Sequence, residues 1–256
     1  MARKRTSTPG PYLHHLEKDP ERIWKPNDYP WSLPVVRHLT RLSFHPNVTF
    51  LIGENGSGKS TLLEAIAVLL GLNPEGGSLN FCFSTCESHS KLDDCLRLAQ
   101  IPGQPADTYF LRAESFYNVA TEIENLDQDP CGGPKVIGSY GGVSLHEQSH
   151  GESFFSLFKH RFGGHGLYLL DEPEAALSPQ RQLQFLALLH DYCSRGSQFV
   201  IATHSLIIMA YPDAVIHHFA EDGIREVPYL ETEHYRVTRG FLSNPKRSLD
   251  ELMNSG

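Results

Sequence analysis

The sequence has no apolar run near the roughly 18–20 residues that cross a bilayer. Its longest candidates, Leu62 to Leu72 and Phe199 to Ala210, are broken by charged or polar residues, so a membrane-spanning chain is not expected. Nothing apolar follows the basic Met1-Ala-Arg-Lys-Arg-Thr start, which argues against a secretory leader. Cysteine is scarce: five, at irregular spacing in 256 residues, do not make a disulfide framework. Cys82-x-x-x-Cys86 with His89 lacks a fourth ligand and the usual zinc spacing. There is no internal repeat and no heptad run long enough for a coiled coil. Positive charge is also short, with 22 Lys+Arg against 30 Asp+Glu and a net charge of -8. Long-range attraction to nucleic acid is therefore absent, and DNA or RNA contact would need a local basic patch. These absences point to a reduced, cytosolic protein. What remains, 40% hydrophobic and 20% charged residues, excludes wholesale disorder and suffices for one α/β domain with a sizeable core.

Along the chain, residues 1–34 are rich in proline, with Trp24, Tyr29 and Trp31, and read as an extended arm lying on the domain. Val48 to Ile52 reads as a buried strand. A glycine-rich turn then leads into a helix over Lys59 to Leu70, where Leu62, Leu63, Ile66, Ala67 and Leu70 recur at helical spacing and Gly71 follows as terminator. Residues 72–107 read as an irregular or partly helical insertion, Tyr109 to Ala113 as a strand, and Asp127 to Val143 as a glycine-rich loop. A second strand, Leu167 to Asp171, precedes a helix from Pro179 to Ser194 with Ser178 as N-cap, Pro179 at N1 and Gly196 after its end. Phe199 to Thr203 is a third apolar strand, and Ala214–Phe219 with Ile224–Tyr229 forms a closing hairpin through Asp222-Gly223. Alternating strands and helices predict an α/β fold on a mainly parallel sheet.

Four stretches carry chemistry. Gly53-Glu54-Asn55-Gly56-Ser57-Gly58-Lys59-Ser60-Thr61 matches a phosphate-binding loop between a strand and a helix. Its glycines let backbone N–H groups approach phosphate oxygens, the helix N-terminus favours an anion, Lys59 reaches the β- and γ-phosphates, and the Ser60 hydroxyl suits Mg²⁺. The strand Leu167 to Asp171 delivers Asp171 for the metal and Glu172 to orient or deprotonate an attacking water. Ser149-His-Gly151-Glu152, ahead of Phe154, Phe155, Leu157 and Phe158, has the pattern of a capping box, whose outward N–H groups suit a γ-phosphate. His204, after the third strand, is placed to donate to the same group.

In order and spacing these motifs resemble the ABC-type ATPase head. Ser149 lies 90 residues after Lys59, the Asp171-Glu172 pair follows about 20 residues later, and His204 comes 33 residues beyond Asp171. The resemblance covers residues 40–220 and implies a P-loop ATPase fold over 1–256, with residues 1–34 as arm, 72–145 as insertion or helical lobe and 225–256 as tail. It makes Gly53 to Thr61 the Walker A motif and Ser149 to Glu152 the signature. Asp171 then ends the Walker B strand, Glu172 is the catalytic glutamate and His204 the switch histidine. It also implies ATP and Mg²⁺ as ligands and a homodimer closing on ATP, because each signature serves the nucleotide held by the other copy. Gly-Glu-Asn-Gly-Ser-Gly-Lys-Ser, Asp-Glu-Pro-Glu-Ala-Ala-Leu-Ser-Pro and Ala-Thr-His-Ser are similar to the SMC/RecF/OLD-like branch. Phe110 to Phe116, Ala210 to Asp213 and Glu231-Thr-Glu-His-Tyr resemble small stand-alone bacterial AAA-family ATP-binding proteins. That branch implies a soluble ATPase acting on nucleic acid or a soluble effector, in repair or defence. A transporter's ATP-binding subunit and a slow nucleotide-gated switch stand as alternatives. Gln100, Arg112 and Glu114 are the candidates for the position between Walker A and the signature that such heads give to a glutamine.

Overall fold

A computed structural model describes residues 10–22, 27–79, 90–128 and 135–254. In chain order the elements are β1 (Leu13–Lys18), α1 (Pro34–His38), β2 (Arg41–Ser43), β3 (Val48–Gly53), α2 (Lys59–Leu69), β4 (Gly77–Ser78), β5 (Leu96–Gln100), β6 (Asp107–Arg112) and α3 (Phe116–Gln128). After them come α4 (His150–His160), β7 (Gly166–Asp171), α5 (Pro179–Ser194), β8 (Gln198–Ala202), α6 (Leu206–Met209), β9 (Val215–Ala220), β10 (Gly223–Glu226), α7 (Glu233–Ser243) and α8 (Pro245–Asn254). No helix among the described residues is long and apolar enough to cross a membrane.

The central sheet has seven strands in the order β10-β9-β3-β8-β7-β6-β4. β9, β3, β8, β7 and β6 are parallel neighbours, and antiparallel β10 and β4 close the two edges. Helices cover both faces, as the unbroken apolar burial of β3 and β7 requires. One face packs on α3, α4 and α5 through Phe154, Phe158, Phe185 and Leu189, the other on α2 through Leu62, Leu63 and Ile66. This is the expected α/β fold with a mainly parallel sheet.

Three expectations need correction. Residues 13–18 are a strand and not an irregular arm: β1 pairs antiparallel with β2 and with β5 in a three-stranded second sheet. Residues 72–107, read as irregular or partly helical, also contribute the short strands β4 and β5 to the two sheets, beside a 3-10 turn over Asp93–Cys95 and irregular connections among the described residues. The loop reading of 127–143 also yields in part, because α3 continues to Gln128 and a 3-10 turn over Val136–Tyr140 buries Tyr140. The helices after the glycine loop and from Pro179 stand as expected. Gly71 and Gly196 follow them at φ 78 and 77, the left-handed values that only glycine adopts without strain. Cys82, Cys86, His89 and Trp24 lie outside the described residues; Trp31 packs on the α2 side of the core.

Candidate nucleotide site

A parallel sheet presents the C-terminal ends of its strands along one edge, where ligands of open α/β folds bind. β3, β7 and β8 are adjacent in this sheet, so the loops after Gly53, Asp171 and Ala202 meet there. The glycine loop after β3 turns through Gly53, Gly56 and Gly58 at φ 148, 79 and 96. A Cβ at Gly53 would lie 2.4 Å from the Phe219 carbonyl oxygen, so neighbouring β9 as well as the turn demands glycine there. α2 starts directly after the loop, and its first-turn N–H groups point back at it.

Lys59 is only 4% exposed, and its Nζ donates to the Gly53 and Glu54 carbonyls at 2.9 Å each. Burial lowers its pKa, opposed by the charges of Glu172, Asp171 and Glu174. The next residue, Ser60, donates its Oγ proton to Asp171 Oδ1 at 3.0 Å, bridging the loop after β3 to the end of β7. Burial pushes the Asp171 carboxyl up to about 6, with the Ser60 hydroxyl working against that shift. Ser57 Oγ is buried in the loop without a hydrogen-bond partner.

Glu172 has φ 51, an uncommon value for a residue with a side chain, and its N–H is tied to the Ala202 carbonyl at 2.9 Å. Its Oε1 stands 3.7 Å from His204 Nε2. Lys59, Ser60, Asp171, Glu172 and His204 therefore form one cluster, as the sequence pattern requires. Sequence reasoning missed Glu174. This buried carboxylate accepts the backbone N–H groups of His204 and Ser205 at 2.6 and 3.2 Å, fixing the turn that carries His204. Burial raises its pKa. Its only signal was a third acid, three residues after Asp171, which a solvated loop also shows.

Ser149, Gly151 and Glu152 lie at the start of α4 and make their contacts elsewhere. The Glu152 carboxylate accepts the Ser149 N–H at 3.1 Å, the anticipated capping box. The hydrogen bonds from Ser149 lower its pKa. A Cβ at Gly151 would lie 2.8 Å from the Ala176 carbonyl oxygen, so the turn sits directly on the segment after Glu172. Of the three middle candidates, Gln100 ends β5 opposite Leu13 in the small sheet. Arg112 ends β6 in register with Asp171, and Glu114 follows it. The Arg112 guanidinium donates to Glu64 of α2 at 2.7 Å, a strut the sequence did not reveal.

Residues 32–98 match the profile of a family described as "AAA domain", and residues 136–210 one described as "AAA domain, putative AbiEii toxin, Type IV TA system". The cytochrome c biogenesis ATP-binding export protein CcmA of Rhizobium etli is 30% identical over 171 residues, 60% of this chain and 74% of CcmA. YxlF of Bacillus subtilis, an ABC transporter ATP-binding protein, is 28% identical over 180 residues, 66% of this chain but only 58% of YxlF. Among solved structures, the SMC head domain from Thermotoga maritima aligns with 84% of this chain and 98% of its own, at 18% identity and a TM-score of 0.42. The glycine loop, the Asp171-Glu172 strand end and His204 on this parallel sheet define a P-loop nucleotide-binding protein. By its relatives, the chain belongs to the family of ABC-type ATP-binding proteins.

Proposed function

We propose that this protein binds MgATP between two copies of itself, hydrolyses it, and uses the opening and closing of that pair to drive a partner. The observation that carries the reading is the convergence of Lys59, Ser60, Asp171, Glu172 and His204 at one sheet edge, with Ser60 Oγ 3.0 Å from Asp171 Oδ1.

The loop N–H groups and Lys59 Nζ bind the phosphates. Lys59 must exchange its two carbonyl partners for phosphate oxygens, a change the anion's charge favours. The unpartnered Ser57 hydroxyl suits the same anion. A hydroxyl and a carboxylate side by side are the oxygen donors a hard cation takes, so Ser60 and Asp171 would hold Mg²⁺. That ion, when bound, supplies positive charge against the phosphate oxygens. Glu172 accepts the proton of the water that attacks the γ-phosphorus, and ADP departs as the β–γ bridging bond breaks. His204 Nε2 donates to the γ-phosphate oxygens.

In this reading Ser149, Gly151 and Glu152, at the start of α4, serve the other copy's nucleotide. This makes ATP the bridge of a homodimer. Glu172→Gln should therefore double in mass from 28.7 kDa in saturating MgATP by light scattering, while Lys59→Ala fails to bind nucleotide. A Glu172→Gln protein that stays monomeric would sink the sandwich.

For the load, the lead reading is a nucleic acid or soluble effector, handled in the cytosol where ATP is supplied. It rests on the sequence likeness of the Asp-Glu-Pro-Glu-Ala-Ala-Leu-Ser-Pro stretch to the SMC/RecF/OLD-like branch. The names of CcmA and YxlF favour a second reading, the ATP-binding subunit of a membrane transporter. Affinity capture of Glu172→Gln from native cells in MgATP separates them. DNA, RNA or a soluble protein supports the first, and a stoichiometric integral membrane protein supports the second.

A further inference from the structure

His234 lies outside both matched stretches, in the first turn of α7, yet its ring reaches the cluster. Its Nε2 stands 3.2 Å from Nδ1 of His204. Such a bond needs one nitrogen protonated and the other bare, so two arrangements compete. The far side of the His204 ring decides between them. There Nε2 is buried without a hydrogen-bond partner and faces Glu172 Oε1 at 3.7 Å. An N–H toward a carboxylate is attractive, whereas a lone pair toward it is repulsive. His204 Nε2 therefore carries the proton, its Nδ1 accepts, and His234 Nε2–H is the donor. In this arrangement the buried, unpartnered Nδ1 of His234 is a bare lone pair and not a stranded N–H. Burial favours the neutral form of both rings, and nearby Lys59 adds to that preference in each.

We propose that His234 is a positioning residue of the hydrolytic site: its Nε2–H holds His204 by Nδ1 and keeps the His204 Nε2–H aimed beside Glu172, toward the γ-phosphate. This rests on the ATPase reading above. The hold is itself anchored. Thr232, 2% exposed, caps α7 by accepting the Tyr235 N–H at 3.3 Å and donates to the Tyr229 carbonyl at 2.8 Å.

The test uses the full chain without nucleotide, in ¹⁵N correlation spectra that report each imidazole nitrogen. His204 is assigned by the signals that vanish in His204→Gln. The expected wild-type result is a protonated Nε2 and a bare Nδ1 shifted by an accepted hydrogen bond. That shift should disappear in His234→Leu and persist in His234→Gln, whose amide offers a donor at a similar reach. ATP turnover of His234→Leu should fall about ten- to a hundredfold at nearly unchanged KM, the usual cost of losing an orienting partner, with much of it restored by His234→Gln. A wild-type His204 protonated at Nδ1 overturns the proposal, as does an Nδ1 signal indifferent to His234→Leu. Should His234→Leu fail to fold, the wild-type and His234→Gln spectra still decide. Absence of wild-type turnover would sink the ATPase reading alone, because the hydrogen bond is read without nucleotide.

Discussion

Burial and charge oppose each other at the cluster of Lys59, Asp171 and Glu172. Asp171 is 5% exposed, and its carboxyl is raised from 3.8 to about 6, so keeping it ionised at pH 7 costs roughly 2–3 kcal/mol. Asp171→Asn, which can still accept from Ser60, should raise the nucleotide-free protein's thermal midpoint at pH 7 while abolishing Mg²⁺-dependent turnover. An unchanged or lower midpoint in calorimetry would show that the buried charge carries no such cost. Gly53→Ala should act in the opposite direction. Its Cβ would meet the Phe219 carbonyl at 2.4 Å on a φ of 148, so we expect a loss above about 2 kcal/mol in denaturant titration. The residues of the cluster were legible in the sequence because phosphate chemistry prescribes their types and spacing over short stretches. Glu174 and His234 were not. Each acts through a contact about 30 residues away in sequence, and only the fold brings those partners together.

Elements whose signals are local emerged from the sequence nearly at their observed bounds. β3, β7 and β8 are apolar runs, and α5 carries Ser178, Pro179 and Gly196 at its ends. α3 was passed over although its buried residues, Phe116, Val119, Ala120 and Ile123, fall at helical spacing, because irregular-looking stretches flank it on both sides. The small sheet was missed for another reason. Its strands are short, come from residues 13–18, 41–43 and 96–100, and pair only at long range, so no window of sequence contains the pattern. Caps are where single residues control elements. Thr232→Ala should cost about 1 kcal/mol. Because α7 carries His234, that variant should also lower turnover toward the His234→Leu value, as a steady-state assay would reveal. Full turnover in a protein measurably destabilised by this change would separate the helix from the chemistry.

At the scale of the molecule, the two sheets are joined through His217 of β9. Its Nε2 donates to the Ser43 carbonyl of β2 at 2.8 Å. Burial lowers its pKa below 6.5, with the Ser43 bond and the charge of Glu226 opposing that shift. A group that holds its proton less tightly when folded stabilises the fold fully above its unfolded value and loses that contribution as pH falls through it. Thermal stability should therefore decline from pH 7 to pH 5, and less steeply in His217→Gln, which keeps a donor but cannot become charged. Equal slopes for the two proteins would remove His217 from the acid response. The central claim, that Lys59, Asp171 and Glu172 form an ATP-hydrolysing centre, is tested most directly by phosphate release beside ATP binding in wild type and Glu172→Gln. Mg²⁺-dependent release by the wild type, with tight ATP binding but release at least about a hundredfold slower in Glu172→Gln, is the predicted result. Equal release by the two proteins, or a wild type that does not bind ATP, would contradict it.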